Sequence, residues 1–265
     1  MKLCSIVSGS SGNCIYASAN NTQILVDVGI SGKRTEEGLN QIGTSLREID
    51  AILVTHEHVD HIAGLGVISR KYGIPIFASA GTIRAITQTT SLGKIDQDLL
   101  CEIAPGQPFC IKEIEVDPIK ISHDATEPLA YKMRNQNKKI AVVTDLGVYN
   151  DYIVEKLQGL DAILLEANHD VNMLQVGPYP YYLKRRILGD KGHLSNELAG
   201  RLLCELLHDG MKHILLGHLS KENNMAELAY ETVRMEVTMA DNPYQGDDFP
   251  IRVANRSTVS EMIEV

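Results

Sequence analysis

His56-Glu57-His58-Val59-Asp60-His61 sets four metal-binding side chains within six residues, directly after the apolar, β-prone run 49–54 and directly before a Gly-containing helical pattern. That order predicts a strand-to-loop-to-helix junction, where irregular backbone splays alternate side chains toward one point. His56 and His58 then face one cation, and Asp60 and His61 face a second. A mixed imidazole and carboxylate set favours zinc or a similar borderline first-row ion over calcium or magnesium. The bland alternative is a polar loop whose histidines are merely exposed, and four ligand groups so close together argue against it. A His-Glu-x-x-His metalloprotease helix is excluded by inspection, because Asp60 stands where its second histidine would be.

Around this stretch, 265 residues with 44% hydrophobic and 22% charged content are enough for a large core, and one domain over residues 1–265 is expected. Cys4, Cys14, Cys101, Cys110 and Cys204 form an odd set without a Cys-x-x-Cys pair, which predicts reduced thiols in a cytoplasmic protein. Near the N-terminus the apolar run 3–7 is broken by Ser8-Gly9-Ser10-Ser11-Gly12-Asn13. No signal peptide is expected, and no run approaches membrane-spanning length. A net charge of −9 opposes broad, non-specific binding to a polyanion but leaves room for a local cationic channel.

In chain order, 2–7, 15–18 and 23–28 read as strands, with the Ser/Gly/Asn cluster as a tight turn between the first two. Asp27 is either a buried acceptor that holds the metal loop or a turn former. A helix over 33–41 precedes the motif, and a helix through Tyr72 stops at Gly73, before a short strand over 75–78. Only weak periodicity marks 82–106. Further on, the β-like run 116–121 leads into Ser122-His123-Asp124, and 140–143 into Thr144-Asp145-Leu146-Gly147. The run 162–165 leads into Glu166-Ala167-Asn168-His169-Asp170, and 214–216 into Gly217-His218. Each of these polar residues alone would pass for a cap, turn or surface residue. Together, five β-type runs each deliver His, Asp or Glu just past the C-terminal end, the edge at which layered α/β folds assemble their sites.

The succession His-x-His-x-Asp-His, lone His, strand-terminal Asp and strand-terminal His resembles the metallo-β-lactamase fold superfamily of dinuclear metallohydrolases. The resemblance runs from the Ser8–Asn13 cluster and Asp27 to His218. Residues 122–125, 144–147, 166–170 and Gly192-His193-Leu194-Ser195-Asn196 are similar to the YycJ/VicX (WalJ) group of bacterial cytoplasmic proteins, associated with DNA exonuclease activity. The resemblance implies an α/β, αββα sandwich: two mixed sheets face to face, helices outside and metals in a cleft at one edge. It assigns His56, His58 and His123 to one divalent ion and Asp60, His61 and His218 to another, with Asp145 bridging. Zinc, manganese or iron would accept this set. Two cations roughly 3.5–4 Å apart would make a bridging hydroxide the nucleophile, so no Ser or Cys is needed for that role.

Asp60 is read as catalytic as well as ligating, together with His193. The segment from Gly192 to His218 resembles the closing part of the tRNA 3′-processing nucleases, whose equivalent histidine acts on the leaving oxygen from outside the metal ligands. The alternative makes His193 a loop residue before a helix capped by Ser195, with Leu198, Leu202 and Leu206 at i,i+4 spacing. Where those nucleases would carry an acidic partner, just upstream of Asp145, this chain has Ala141 and Val142. Glu166 and Asp170 are both candidates to orient His193, and His169 reads as a site-wall residue.

Immediately before His193, residues 179–191 combine three tyrosines with four cations and one anion in an otherwise acidic chain. One reading is a wall that tracks phosphates with Lys184, Arg185 and Arg186 and stacks a base on Tyr182. The other is a solvated, partly helical segment whose tyrosines pack on the core. The interval from Asp145 to His193 is too short for the inserted clamp of the RNA-maturation members. The expected function is therefore metal-dependent phosphodiester hydrolysis on nucleic acid, DNA taken from an end. The alternatives are a small-molecule metallohydrolase acting on a phosphodiester, thioester or lactam, and a non-catalytic binding module. The last should have lost ligands, and none is missing.

Overall fold

The computed structural model describes residues 1–265. Strands buried on both faces read as unbroken apolar runs, and the runs of this chain build two such sheets. In the first, β1 (Lys2–Gly9), β2 (Gly12–Ala19) and β3 (Thr22–Val26) form an antiparallel meander. Parallel to β3 follow β4 (Ala51–Leu53), β5 (Ile76–Ser79) and β6 (Leu100–Ile103), and the C-terminal β14 (Ile263–Glu264) pairs antiparallel with β1. In the second, β7 (Phe109–Ile111), β8 (Ile114–Lys120), β9 (Leu129–Asn135) and β10 (Lys138–Val143) are antiparallel neighbours. Parallel to β10 lie β11 (Ala162–Glu166), β12 (His213–Gly217) and β13 (Ile251–Val253). Both seven-stranded sheets are thus mixed.

The period-2 alternation of side chains sorts each strand between two apolar layers. Ile140, Val142 and Leu164 enter the layer between the sheets, where they meet Leu3, Ile15, Val26 and Leu53 of the other sheet. Their neighbours Ala141, Val143, Ile163 and Leu165 face outward, under helices α5 (Asp151–Leu157), α8 (Asn196–Leu206) and α9 (Ala226–Met239). Leu25 and Ile52 likewise face α1 (Gly32–Gln41), α3 (Leu65–Tyr72) and α4 (Ala80–Gln88) through Leu39, Leu65, Ile68 and Ile86. The result is the expected αββα sandwich, in which each fully buried Leu or Ile contributes about 1.5–3 kcal/mol. No helix is long and apolar enough to cross a membrane.

Local signals place most element ends. Ser195 caps α8 by accepting from the Leu198 N–H, and α3 stops at Gly73 in the left-handed conformation, φ 66°. The structure narrows one local reading and accounts for another. The tight turn between β1 and β2 is made by Ser10 and Ser11 alone, while Ser8 and Gly9 pair with Asn13 and Gly12 as strand residues. The 82–106 region resolves into most of α4, two single 3-10 turns and β6, pieces too short to build a period.

Strand register brings one edge of each sheet into line. Val143 lies opposite Leu165, Glu166 opposite Gly217, and Val26 opposite Leu53, so the C-terminal ends of the parallel strands finish level with one another.

Candidate metal centre

At that edge three non-glycine residues turn the chain through the left-handed region: Asp27 (φ 62°), Asp145 (φ 58°) and His218 (φ 55°). Such backbone costs about 1–3 kcal/mol per residue and persists only where surrounding contacts hold it. Here it swings a polar side chain back over the sheet edge. The motif itself leaves β4 as a loop and closes in one helical turn, α2 (Val59–Ile62), which carries Asp60 and His61. That turn packs so tightly on Gly29 that a Cβ there would lie 1.6 Å from the Asp60 carbonyl oxygen. Only glycine fits.

His56, His58 and His123 bring their ring nitrogens together as one group; Asp60, His61 and His218 form a second, and His56, His61 and Asp145 lie between. Asp145 faces both sides, with Oδ2 3.2 Å from His61 Nε2 and Oδ1 3.7 Å from His123 Nε2 and 3.6 Å from His218 Nε2. Asp60 Oδ2 stands 3.5 Å from His61 Nε2 and 3.6 Å from His218 Nε2.

What lies behind each ring decides which nitrogen points inward. His61 Nδ1 donates to Asp27 Oδ2 (2.7 Å), His218 Nδ1 to Glu166 Oε1 (2.8 Å), His123 Nδ1 to the Gly192 carbonyl (3.1 Å) and His56 Nδ1 to Thr55 Oγ1 (3.0 Å). With Nδ1 carrying the proton in each, four Nε2 lone pairs converge, as metal-binding histidines held by outer hydrogen bonds require. His56 Nε2, Asp145 Oδ2 and His218 Nε2 are buried without any hydrogen-bond partner. An unmet buried polar atom costs about 1–3 kcal/mol, and three at one point are the donor set of a cation. The residues present therefore fit two divalent ions.

The electrostatics agree. Burial by itself would raise the Asp145 carboxyl, but His218 and His61 hold it well below the usual carboxylate range. Burial would likewise lower His218, yet Asp145, Asp60 and Glu166 lift it to about 10. His61 is lifted well above its ordinary value, against burial, by Asp145, Asp27 and Asp60. His56, dominated by burial and by the His61 charge, stays well below. Clustered carboxylates thus outweigh desolvation and create a negative field that positive charge relieves.

His193 stands beside this set, its ring centroid 5.2 Å from that of His123 and 5.4 Å from that of His218. Its Nδ1 donates to Glu166 Oε1 at 2.8 Å, so Glu166 is its acidic partner, while Asp170 caps α6 (Val171–Val176). Asp145, Glu166, His193 and His218 also lie close enough to suggest a further metal group. Glu166, however, already accepts from His193, His218 and the N–H groups of Leu146 and Leu194. It is a saturated hydrogen-bond hub, and its carboxyl, which burial would raise, is held down at about 2 by the two facing rings. His169 is fully buried with both ring nitrogens unpartnered and does not reach the ligand groups.

The basic-aromatic stretch forms α7 (Tyr181–Leu188). Tyr181 and Tyr182 are 76% and 74% exposed and do not pack on the core. Lys184 donates to the carbonyls of Gln175 and Gly177, and Arg185 lies over the Tyr181 ring. Arg186 forms a two-pronged ion pair with Asp124, whose Oδ1 is 3.4 Å from His123 Nε2.

Sequence reasoning missed several supporting residues. Thr55 donates to Asp27 Oδ2 at 2.8 Å while accepting from His56, Ser8 Oγ accepts from the His218 N–H at 2.9 Å, and Asn13 Nδ2 lies 3.2 Å from His61 Nε2. Nothing about a Ser, Thr or Asn at a strand end marks it from afar; only its position next to a ligand in space does.

Residues 22–218 match the family described as Beta-lactamase superfamily domain, and this chain belongs to that metallo-β-lactamase superfamily. Within it the chain is a close homologue of two curated bacterial proteins. It is 42% identical to exodeoxyribonuclease YycJ of Bacillus anthracis, over 86% of each chain. It is 38% identical to exodeoxyribonuclease WalJ of Streptococcus pneumoniae, over 98% of this chain and 96% of the other. The crystal structure of the metallo-β-lactamase fold protein YhfI from Bacillus subtilis superposes with a TM-score of 0.70 at 18% identity, over 98% of each chain, and shares the fold.

Proposed function

We propose that this protein is a dinuclear metal-dependent phosphodiesterase that degrades DNA from an end. The observation that carries the reading is the convergence of Nε2 of His56, His61, His123 and His218 around Asp145, each ring tied from behind and three of the inward atoms unpartnered. The similarity to YycJ and WalJ supports DNA as the polymer. His56, His58 and His123 would hold one ion, Asp60, His61 and His218 the other, and Asp145 both; zinc and manganese suit the set, and iron is accepted. Such ions, when bound, supply the Lewis acidity that activates water near neutral pH and neutralises charge on a phosphoryl group.

The chain's own groups do the rest. Asp60, with one carboxylate oxygen between His61 and His218, orients the attacking side. His193, fixed by Glu166 at Nδ1, presents Nε2 to give a proton to the leaving oxygen, with the buried carboxylate stabilising the imidazolium. Arg185, Arg186 and Tyr182 on α7 line the approach to phosphate and base, with Lys184 left one free donor after its two carbonyl contacts. We infer further that residues 1–265 are one domain, because the central layer draws on both sheets and β14 returns to β1. Five unpaired cysteines support a reducing, cytoplasmic location.

The purified chain supplied with Mn²⁺ or Zn²⁺ is expected to degrade end-labelled single- and double-stranded DNA, and Asp60→Ala or His61→Ala to abolish this. Hydrolysis of a small chromogenic phosphodiester with no loss of DNA would replace the reading by that of a small-molecule hydrolase.

A further inference from the structure

A cleft of about 880 Å³ opens beside His123, so that one residue belongs both to the metal centre and to the lining of this second space. Its size falls in the upper part of the range for built ligand sites, about 300–1,000 Å³. Three cations line it: Arg84 from α4, Lys120 from the end of β8, and Lys191 from the loop before His193. All three are exposed. Lys138, Lys156 and Arg134, on neighbouring elements, are by contrast each paired with an acid, Asp161, Asp117 and Glu115. Arg84, Lys120 and Lys191 have no such partner. The one carboxylate in the lining, Glu127, is engaged by the Gly81 N–H at 2.8 Å. The cleft wall is therefore cationic on a chain whose net charge is −9. Unpaired cations gathered around one concavity of an acidic protein focus anions there. Tyr152, 38% exposed, adds a ring to the same lining.

We propose that this cleft carries the backbone of single-stranded DNA past the metal centre, with Arg84, Lys120 and Lys191 on successive phosphates and Tyr152 stacked on a base. Cationic grooves with one or two accessible rings are how unpaired strands are held without regard to sequence. The inference rests on the phosphodiesterase reading and adds a subsite separate from α7, two of whose cations are already tied by Asp124 and by carbonyl oxygens.

The test is the affinity of the metal-loaded full chain for a fluorescent single-stranded phosphorothioate oligonucleotide, followed by anisotropy across a salt series. Each phosphate contact on a single strand contributes about 0.7 to the slope of log K against log salt. Arg84→Gln/Lys120→Gln/Lys191→Gln, checked for folding by circular dichroism, is expected to flatten that slope by about 2. Tyr152→Ala is expected to weaken binding about tenfold with the slope kept. A triple variant with the wild-type slope and affinity overturns the cleft, as does a wild-type chain that does not bind the oligonucleotide. A wild-type chain that binds through these residues but leaves end-labelled DNA intact sinks the phosphodiesterase reading and keeps the cleft.

Discussion

At the scale of single residues, the division of labour between His193 and the metal-facing histidines follows from what stands behind each ring. Glu166 serves His193 and His218 with the same oxygen, yet His218 sends Nε2 toward Asp145 while His193 stays outside both ligand groups of three. His193→Ala should therefore keep two metal ions per chain by elemental analysis and lose turnover by about 10²–10⁴-fold, the span of a positioned general acid. A fall to one ion would move His193 into the ligand set. The motif at 56–61 was legible because its residue types are chemically distinctive, whereas His123, Asp145, His193 and His218 stood out only through the family resemblance that joins them to it. Thr55, Ser8 and Asn13 were not legible, because hydroxyl and amide side chains at strand ends are commonplace and acquire a role only through a neighbour distant in sequence.

At the scale of elements, the helical turn α2 and the β3 end are pressed together with no room for a side chain at Gly29. Gly29→Ala is expected to displace Asp60 and His61, lowering stability by about 1–3 kcal/mol in thermal unfolding and releasing metal from the Asp60 side. Full metal occupancy with an unchanged melting temperature would show that the loop yields freely. For α7, Lys184→Ala/Arg185→Ala/Arg186→Ala should weaken DNA binding and flatten its salt dependence; an unchanged slope would leave this helix a scaffold. The sequence marked the helix through its cation density. It did not reveal that Lys184 closes the end of α6 or that Arg186 pairs with Asp124, because both partners come from other parts of the chain.

At the scale of the whole molecule, buried carboxylates and unpartnered ring nitrogens at one sheet edge make the folded state depend on positive charge placed there. Saturating divalent metal, at about 1,000 times its dissociation constant, should raise stability by about 4 kcal/mol, and chelation should remove that gain. Scanning calorimetry should record one cooperative transition in both states. Two transitions would separate the sheets into domains, and a melting temperature indifferent to chelator would contradict the metal centre. Because the central layer draws on both sheets, neither half is expected to melt alone.

Read alone, the chain offered the ligand cluster at 56–61 and polar residues just past strand ends, and the family resemblance these carry implied the full ligand set and the layered α/β class. The cluster and the strand ends are legible because ligand spacing and the period-2 burial of short runs are local properties. Packing settled the choice of Glu166, at the end of β11, over Asp170 as the acid for His193, which nitrogen each ring turns inward, and that unpaired cations line the His123 cleft. Those outcomes depend on which strands lie side by side and on which charges meet across loops, and one chain read in order does not carry that information.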